Sequence, residues 1–254
     1  MRVTLLALTL NEVDGVKAIM PQIDPSWCDQ VIVVDGGSTD GTIEWCRENG
    51  FEVYVQKRKG IRFAYLEIMP YVKGDIIVSF SPDGNCPVNT IPQLLEKMRE
   101  GYDLVIGSRY LGDAVSDDDD LLTGFGNWFF TKTVNALYGS HYTDVMVIYR
   151  AFRRRLVCDL DLDKEESYVL PEKLFKTVIS LEPLMSVRAV KCAMKITEIS
   201  VGEPKRIAGK RKLQMFRWGA AYYFQFWREL WYWRRPPLPD RAIADQYHIN
   251  ESTR

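Results

Sequence analysis

Short apolar runs alternate with amphipathic segments of helical length in the first half of the chain, and this alternation narrows the possible folds most. Segments of helical length, such as TIEWCREN (42–49), separate the runs. The runs are VTLLALTL (3–10), QVIVVD (30–35), FEVYV (51–55), DIIVSF (75–80) and DLVIG (103–107). Strands that alternate with helices favour right-handed crossovers and a mainly parallel sheet. We therefore predict an α/β fold whose ligands bind beyond the carboxyl ends of the strands.

The pattern changes after Gly107. Residues 108–120 have a loop-like composition, residues 123–139 predict an apolar helix, and residues 143–154 predict a strand or a strand–helix junction. Further along, a basic and aromatic stretch precedes a polar tail. We predict a main domain over 1–213, a helix over 214–235 and a tail over 236–254.

Composition and charge exclude several classes of protein. The net charge of -1 gives no reason to expect a nucleic-acid partner. The five cysteines show no CxxC spacing, which argues against a disulfide framework and a zinc site and favours a reducing cytoplasmic setting. The sequence enters a strand-like run at Val3 without a signal peptide, and it has no apolar run of about 20 residues. We expect a soluble protein, at most peripheral to a membrane.

Three predicted strands end in polar side chains. Asn11 and Glu12 follow the first strand, Asp35 ends the second, and Asp83 with Asn85 follows the fourth. Ordinary turns and helix caps would account for all of them. Alternatively, Asp35 accepts hydrogen bonds from a nucleobase or ribose, and Asp83 holds a divalent ion together with diphosphate oxygens.

Five ordered motifs resemble those of family 2 glycosyltransferases, above all the dolichyl- or polyprenyl-phosphate mannosyl- and glucosyltransferases. The motifs are LTLNE, VIVVDGGSTDGT, KGDIIVSFSPDGN, LVIGSRY and TDVMVIYRAFRR, and the resemblance covers roughly residues 3–213. It implies the nucleotide-diphospho-sugar transferase (GT-A, Rossmann-like) fold, a UDP- or GDP-sugar donor, Mg²⁺ or Mn²⁺, and transfer with inversion.

The resemblance also assigns residues at the end of the fourth strand. The resembling enzymes carry Asp-Ala-Asp there and Gln two residues later, where this chain has Ser81, Pro82, Asp83 and Asn85. Asp83 keeps the acid that is the metal ligand, and Asn85 replaces the Gln. Because Ser81 replaces the first acid, we expect metal affinity to be low without the donor diphosphate.

Other matching positions are implied donor contacts or catalytic groups. Asp144 matches an acid that faces the reaction centre, where it would be the general base for a hydroxyl acceptor; a structural or capping acid is the alternative. Arg206 and Lys212, in the basic segment 203–213, would neutralise the departing diphosphate. The implied donor-binding residues are Leu8, Leu10, Glu12, Val33, Asp35, Ser81, Pro82, Arg109, Arg206 and Lys212.

The implied acceptor is lipid-linked, either a polyprenyl phosphate or a hydroxyl of a lipid-linked glycan. Where the resembling enzymes usually carry arginine, this chain has the acidic run Asp117–Asp120, which we interpret as a solvated loop. If the run instead faced the acceptor, it would repel a phosphate.

The segment 216–235 is basic and rich in aromatic residues. Its spacing predicts a helix with a polar stripe through Arg217, Gln225 and Arg228 beside an aromatic flank. Such a helix suits a membrane surface, but it also suits packing on the domain or on a second subunit in a homo-oligomer.

Two other functions remain open. A non-catalytic nucleotide-sugar-binding or scaffold protein is suggested by Ser81. A sugar-phosphate nucleotidyltransferase is the less favoured alternative, since LTLNEVDG holds no glycine-rich phosphate loop.

Overall fold

A computed structural model of the chain describes residues 1–207 and 215–234. Within them, seven strands form one sheet in the order β3-β2-β1-β4-β6-β5-β7. Strand β6 is antiparallel to β4 and β5, and the remaining neighbours are parallel. The predicted mainly parallel α/β sheet is therefore confirmed. The strands are β1 Val3–Thr9, β2 Gln30–Asp35, β3 Glu52–Val55, β4 Ile76–Phe80, β5 Leu104–Ser108, β6 Arg150–Arg153 and β7 Ile196–Ser200.

Helices connect the strands and cover the sheet. They are α1 Val13–Ile19, α2 Thr42–Glu48, α3 Ile61–Ile68, α4 Ile91–Arg99, α5 Leu121–Tyr138, α6 Leu156–Asp159, α7 Glu166–Phe175, α8 Glu182–Lys191 and α9 Met215–Arg228. Every residue of β1 and β4 is buried, as expected for central strands of a covered sheet. Strand β1 pairs with β2 on one side and with β4 on the other, so the strand order reverses beside β1. This reversal brings together the polar ends of the three strands.

The strand predicted within residues 143–154 is shorter than expected, because it begins only at Arg150. The Arg150 side chain is fully buried and donates hydrogen bonds to backbone carbonyls of Val145, Val147 and Glu182. The carbonyls of Val145 and Val147 thus accept from a guanidinium, and residues 143–149 before the strand follow an irregular path.

Helix α9 packs on the domain through a face that carries polar side chains as well as the aromatic Tyr222 and Phe226. Gln225 and Arg228 are buried and donate to the backbone carbonyl of Ser167, at 3.3 and 2.9 Å. Directly after the helix, the fully buried Glu229 pairs with Arg188 of α8. Of the alternatives given for the aromatic segment 216–235, packing on the domain is therefore the one that the described residues show. Among the residues described, no helix is both long and apolar enough to cross a membrane.

The predicted division into 1–213, 214–235 and 236–254 stays a prediction. Lys212, the other residues of 208–214 and the tail from 235 onwards lie outside the described residues.

Candidate active site

A cleft of about 760 Å³ opens at the carboxyl ends of β1, β4 and β5. It gathers residues that the sequence places far apart, and helices α5 and α9 form its other wall through side chains such as Leu122, Phe130 and Trp218. The predicted site residues that line it are Leu8, Leu10, Glu12, Ser81, Asp83, Asn85, Arg109 and Arg206. Most of the predicted donor-binding set thus shares one cavity. Val33, Asp35, Pro82 and Asp144 are not among its lining residues.

Asp83 and Asn85 form a tight polar turn after β4. The backbone N–H of Asn85 donates to Asp83 Oδ1 at 3.1 Å, and Ile207 N–H donates to the Asp83 carbonyl at 2.8 Å. Burial raises the pKa of Asp83 above its ordinary value, although the Asn85 amide and the Arg206 guanidinium act in the opposite direction. The carboxylate is therefore a poorly solvated anion, for which a nearby cation is favourable.

Asn85 has an oxygen suited to a metal ion. Its Nδ2 donates to Asp118 at 3.1 Å and lies 3.5 Å from Glu203, which fixes the amide orientation because ionised carboxylates only accept. Its Oδ1 is buried and accepts no hydrogen bond from the described residues. Carboxylate and amide oxygens suit Mg²⁺ or Mn²⁺. No group of three or more His, Cys, Asp or Glu that could hold a metal occurs in the described part, so substrate and water would complete the coordination.

Asp144 lies beneath the cleft, where it holds Arg109. Arg109 Nε is 2.6 Å from Asp144 Oδ2, and Nη2 is 3.0 Å from Oδ1. Burial alone would lower the pKa of Arg109. The negative charges of Asp144 and, to a smaller extent, Glu203 outweigh this effect and hold the pKa well above its ordinary value. The Asp144 side chain is fully buried. The geometry resembles that of a positioning acid, and the general-base role stays a prediction.

The acidic run is only partly solvated: Asp117 and Asp120 are exposed, but Asp118 and Asp119 are not, which corrects the interpretation of the whole run as a solvated loop. Asp118 accepts from Arg206 Nη2 at 3.0 Å, and Asp119 accepts from the Tyr110 hydroxyl. Asp120 caps α5 by accepting from the backbone N–H of Thr123 at 2.8 Å. Ion pairing and capping order the run, and Asp118 and Asp119 line the cleft.

Asp35 serves as an organiser of the turn after β2. One carboxylate oxygen accepts from the backbone N–H groups of Gly37 and Ser38 at 2.8 and 2.6 Å. The other accepts from the hydroxyls of Thr9 and Ser38 at 2.7 and 2.6 Å. Asp35 and Val33 are fully buried. A direct contact between either residue and the donor stays a prediction, and it would need this turn to open.

Glu203 is a residue of the cleft that the sequence analysis missed. It follows β7, lies 3.5 Å from Arg109 and accepts from the Ser116 hydroxyl. Burial raises its pKa, against the effect of Arg109. Its position as the first residue of the basic segment 203–213 was the one available signal, since no motif marks Glu203 itself.

Comparisons with known proteins find relatives that align with most of the chain. An undecaprenyl-phosphate mannosyltransferase of Micrococcus luteus is 28% identical over 234 residues, which cover 87% of this chain and 95% of that one. A dolichyl-phosphate hexose transferase of Haloferax volcanii is 28% identical over 215 residues, covering 84% and 87%.

A solved structure shows the same fold. Glucosyl-3-phosphoglycerate synthase of Mycobacterium tuberculosis, in complex with Mn²⁺ and UDP, superposes with a TM-score of 0.61 at 17% identity, over 94% of this chain and 81% of that one. This confirms the predicted GT-A fold. The family model of glycosyl transferase family 2 matches residues 22–160, more than half of the 254 residues. The chain belongs to glycosyltransferase family 2.

Proposed function

We propose that the chain transfers a sugar, with inversion, from a nucleoside diphosphate donor to a lipid-linked acceptor. One observation carries the proposal: Asp83, Asn85 and Arg206 converge at the carboxyl end of β4, in a cleft whose far wall is aromatic. The relatives named for undecaprenyl-phosphate and dolichyl-phosphate transfer support a lipid-linked acceptor.

The polar side of the cleft would bind the donor. Asp83 and Asn85 would hold Mg²⁺ or Mn²⁺, which supplies positive charge beside a diphosphate, and the Mn²⁺ and UDP in the Mycobacterium tuberculosis structure support this reading. Arg206 lies 3.9 Å from Asp83, and Arg109 lines the same cavity. Fixed guanidinium groups stabilise the charge that builds on a departing nucleoside diphosphate without reorganising at that moment.

The aromatic wall of the cleft continues onto the surface. Phe125, Trp128 and Phe129 of α5 are exposed, and Phe129 stacks on Tyr223 of α9 at 5.3 Å between ring centroids. Trp227 extends this surface by packing edge-on against Tyr223. Aromatic rings at the edge of a substrate cleft suit the headgroup zone of a bilayer. The protein would thus be peripheral on the cytoplasmic side, where its acceptor is anchored.

The exposed face of α9 differs from the one that the sequence pattern suggested. Within the predicted polar stripe, Gln225 and Arg228 are buried and Arg217 is exposed. Phe216, Tyr223 and Trp227 are exposed as well. Membrane contact through 216–235 would therefore use mainly these aromatic residues, together with α5, because most of the basic stripe is not accessible.

Donor binding and transfer can be tested in sequence. UDP-, GDP- and CDP-sugars are screened by thermal shift with Mn²⁺ or Mg²⁺, because a bound donor raises the melting temperature. The best donor is then assayed with polyprenyl phosphate and with a lipid-linked sugar in vesicles. Transfer should occur to one of these acceptors and be abolished in Asp83→Ala, which a strand-end turn accommodates.

Three results would contradict the proposal. Activity on water-soluble sugars alone would exclude a lipid-linked acceptor. Donor binding with neither sugar transfer nor slow donor hydrolysis would favour the non-catalytic scaffold alternative. Formation of a nucleotide-sugar from a sugar phosphate and a nucleoside triphosphate would favour the nucleotidyltransferase.

A further inference from the structure

We infer that Asp118, on the loop before α5, is a second carboxylate ligand for the divalent cation at Asp83. The inference rests on the donor site proposed above and extends it to a different segment of the chain. Position 81, two residues before Asp83, is a serine. The segment directly after β4 therefore supplies a single carboxylate, Asp83, to the cation site. A second acid matters because the number of charged ligands sets the affinity of hard divalent cations.

The first observation is that one cation already joins the two carboxylates. Nη1 of Arg206 lies 3.9 Å from Asp83 Oδ2, and Nη2 lies 3.0 Å from Asp118 Oδ2. The side chains of Asp83 and Asp118 are only 10% and 14% exposed. Two poorly solvated carboxylates thus converge on the terminal nitrogens of a single guanidinium, which marks the space between them as favourable for positive charge.

The second, independent observation is the side chain of Asn85, which is 9% exposed. Its backbone N–H donates to Asp83, and its Nδ2 donates to Asp118, so the residue touches both acids. Its buried Oδ1 accepts no hydrogen bond from the described residues. An amide oxygen without a donor, on a side chain next to both carboxylates, would complete a set of three oxygen ligands that suits Mg²⁺ or Mn²⁺.

The arrangement also gives Arg206 two roles. Without the metal, its guanidinium balances the charge of Asp83 and Asp118 and keeps the loop before α5 on the cleft. Once the carboxylates bind the metal instead, Arg206 is released to face the anionic diphosphate of the donor. The loop and the cation site are therefore coupled, although 35 positions separate the two acids (118 minus 83).

Mn²⁺ binding by the full chain tests this inference without a transfer assay. Free Mn²⁺ is titrated by electron paramagnetic resonance in the presence of UDP and, separately, of GDP. Asp118→Asn should weaken Mn²⁺ binding about tenfold or more, as should Asp83→Asn. Asp117→Asn, the exposed neighbour in the same run that does not line the cleft, should bind like the wild type. Nucleotide affinity in EDTA should not fall in Asp118→Asn, because the change removes an anion.

A rescue variant separates ligation from folding. Ser81→Asp in the Asp118→Asn background returns a carboxylate to the end of β4 and should recover most of the Mn²⁺ affinity. The inference is overturned if Asp118→Asn binds Mn²⁺ within twofold of the wild type while Asp83→Asn loses it. It is also overturned if a loss in Asp118→Asn comes with a lower melting temperature and no rescue. Full Mn²⁺ binding by Asp83→Asn, or none by the wild type with either nucleotide, would instead overturn the proposed donor site itself.

Discussion

Arg109 and Asp144 form a two-point ion pair at the floor of the cleft, with nitrogen–oxygen distances of 2.6 and 3.0 Å. The side chain of Arg109 is 13% exposed, whereas the side chain of Asp144 is fully buried. The pair thus presents a cation to the cleft and hides the acid that fixes it. Two roles for Asp144 cannot be separated from the sequence alone: a base that takes a proton from a hydroxyl, and an acid that orients an arginine. The ion pair makes the second role testable.

Asp144→Asn should lower transfer and stability together. Removing one charge of a buried pair costs roughly 3 kcal/mol of unfolding free energy, and a displaced Arg109 stabilises the leaving diphosphate less well. If Asp144 positions Arg109, the rate should fall by a similar factor at every pH and with both lipid-linked acceptors. A general base would show a changed pH–rate profile and a loss of about 10²-fold or more with the hydroxyl acceptor alone. Asp14→Asn, an exposed acid on α1, is the control.

The buried pair between Arg188 and Glu229 should anchor the end of α9. Nε and Nη2 of Arg188 lie 2.9 and 3.1 Å from the two Glu229 oxygens, and both side chains are fully buried. Arg188→Met should therefore lower the free energy of unfolding by about 3–5 kcal/mol, measured with urea. Arg188→Met combined with Glu229→Leu should cost less than the sum of the two single changes, because each single change leaves one buried charge unpaired and the double change leaves none.

Lys97→Met is the surface control for this cycle. The side chains of Lys97 and Glu100 are 37% and 44% exposed, so the loss of their ion pair should leave the free energy of unfolding almost unchanged. Strict additivity in the Arg188 and Glu229 double variant would contradict a direct coupling between the domain and this segment.

The strands and the strand-end residues were predictable from the sequence, because parallel strands bring their carboxyl ends to one edge. Asp83, Asn85 and Glu12 therefore share the cleft as a direct consequence of topology. Ion pairs between loops that are distant in sequence are not fixed by the strand pattern and cannot be predicted in this way. Nothing in the run Asp117–Asp120 indicates that one of its acids pairs with Arg206, 88 positions later.

The orientation of α9 illustrates a second limit. Aromatic residues lie all around this helix, so hydrophobic periodicity alone does not select the buried face. The choice depends on partners outside the helix: the Ser167 carbonyl accepts from Gln225 and Arg228, and the Tyr222 hydroxyl accepts from the backbone N–H of Ser180. These bonds place polar groups inside and leave Trp227 outside.

The exposed aromatic surface should bind vesicles. Trp128 and Trp227 are 56% and 41% exposed, on α5 and α9. Replacing both with serine should reduce recovery with anionic vesicles in flotation by about tenfold or more, because each buried ring contributes roughly 1.5–3 kcal/mol. Tyr71→Ser, at a residue 52% exposed near the start of β2, should leave flotation unchanged.

Light scattering distinguishes this from self-association. A wild-type dimer that becomes monomeric in the double tryptophan variant, with no binding of either protein to vesicles, would assign the aromatic surface to a homo-oligomer instead. A monomer that floats only with vesicles agrees with membrane contact.

Asp83→Asn should abolish transfer and yet stabilise the protein at neutral pH. Burial raises the pKa of Asp83, so the folded state binds this proton more tightly than the unfolded chain does. The ionised carboxylate therefore costs stability at neutral pH, and the cost disappears as the pH falls below the ordinary aspartate range of about 4. Urea unfolding should show the variant more stable than the wild type at pH 7.5, with the difference narrowing at pH 4 and below. Arg206 keeps Asp118 as its partner in the variant, so no unpaired cation offsets the gain. A variant less stable than the wild type at pH 7.5 would mean that Asp83 holds the strand-end turn together, and that its charge is compensated before any substrate binds.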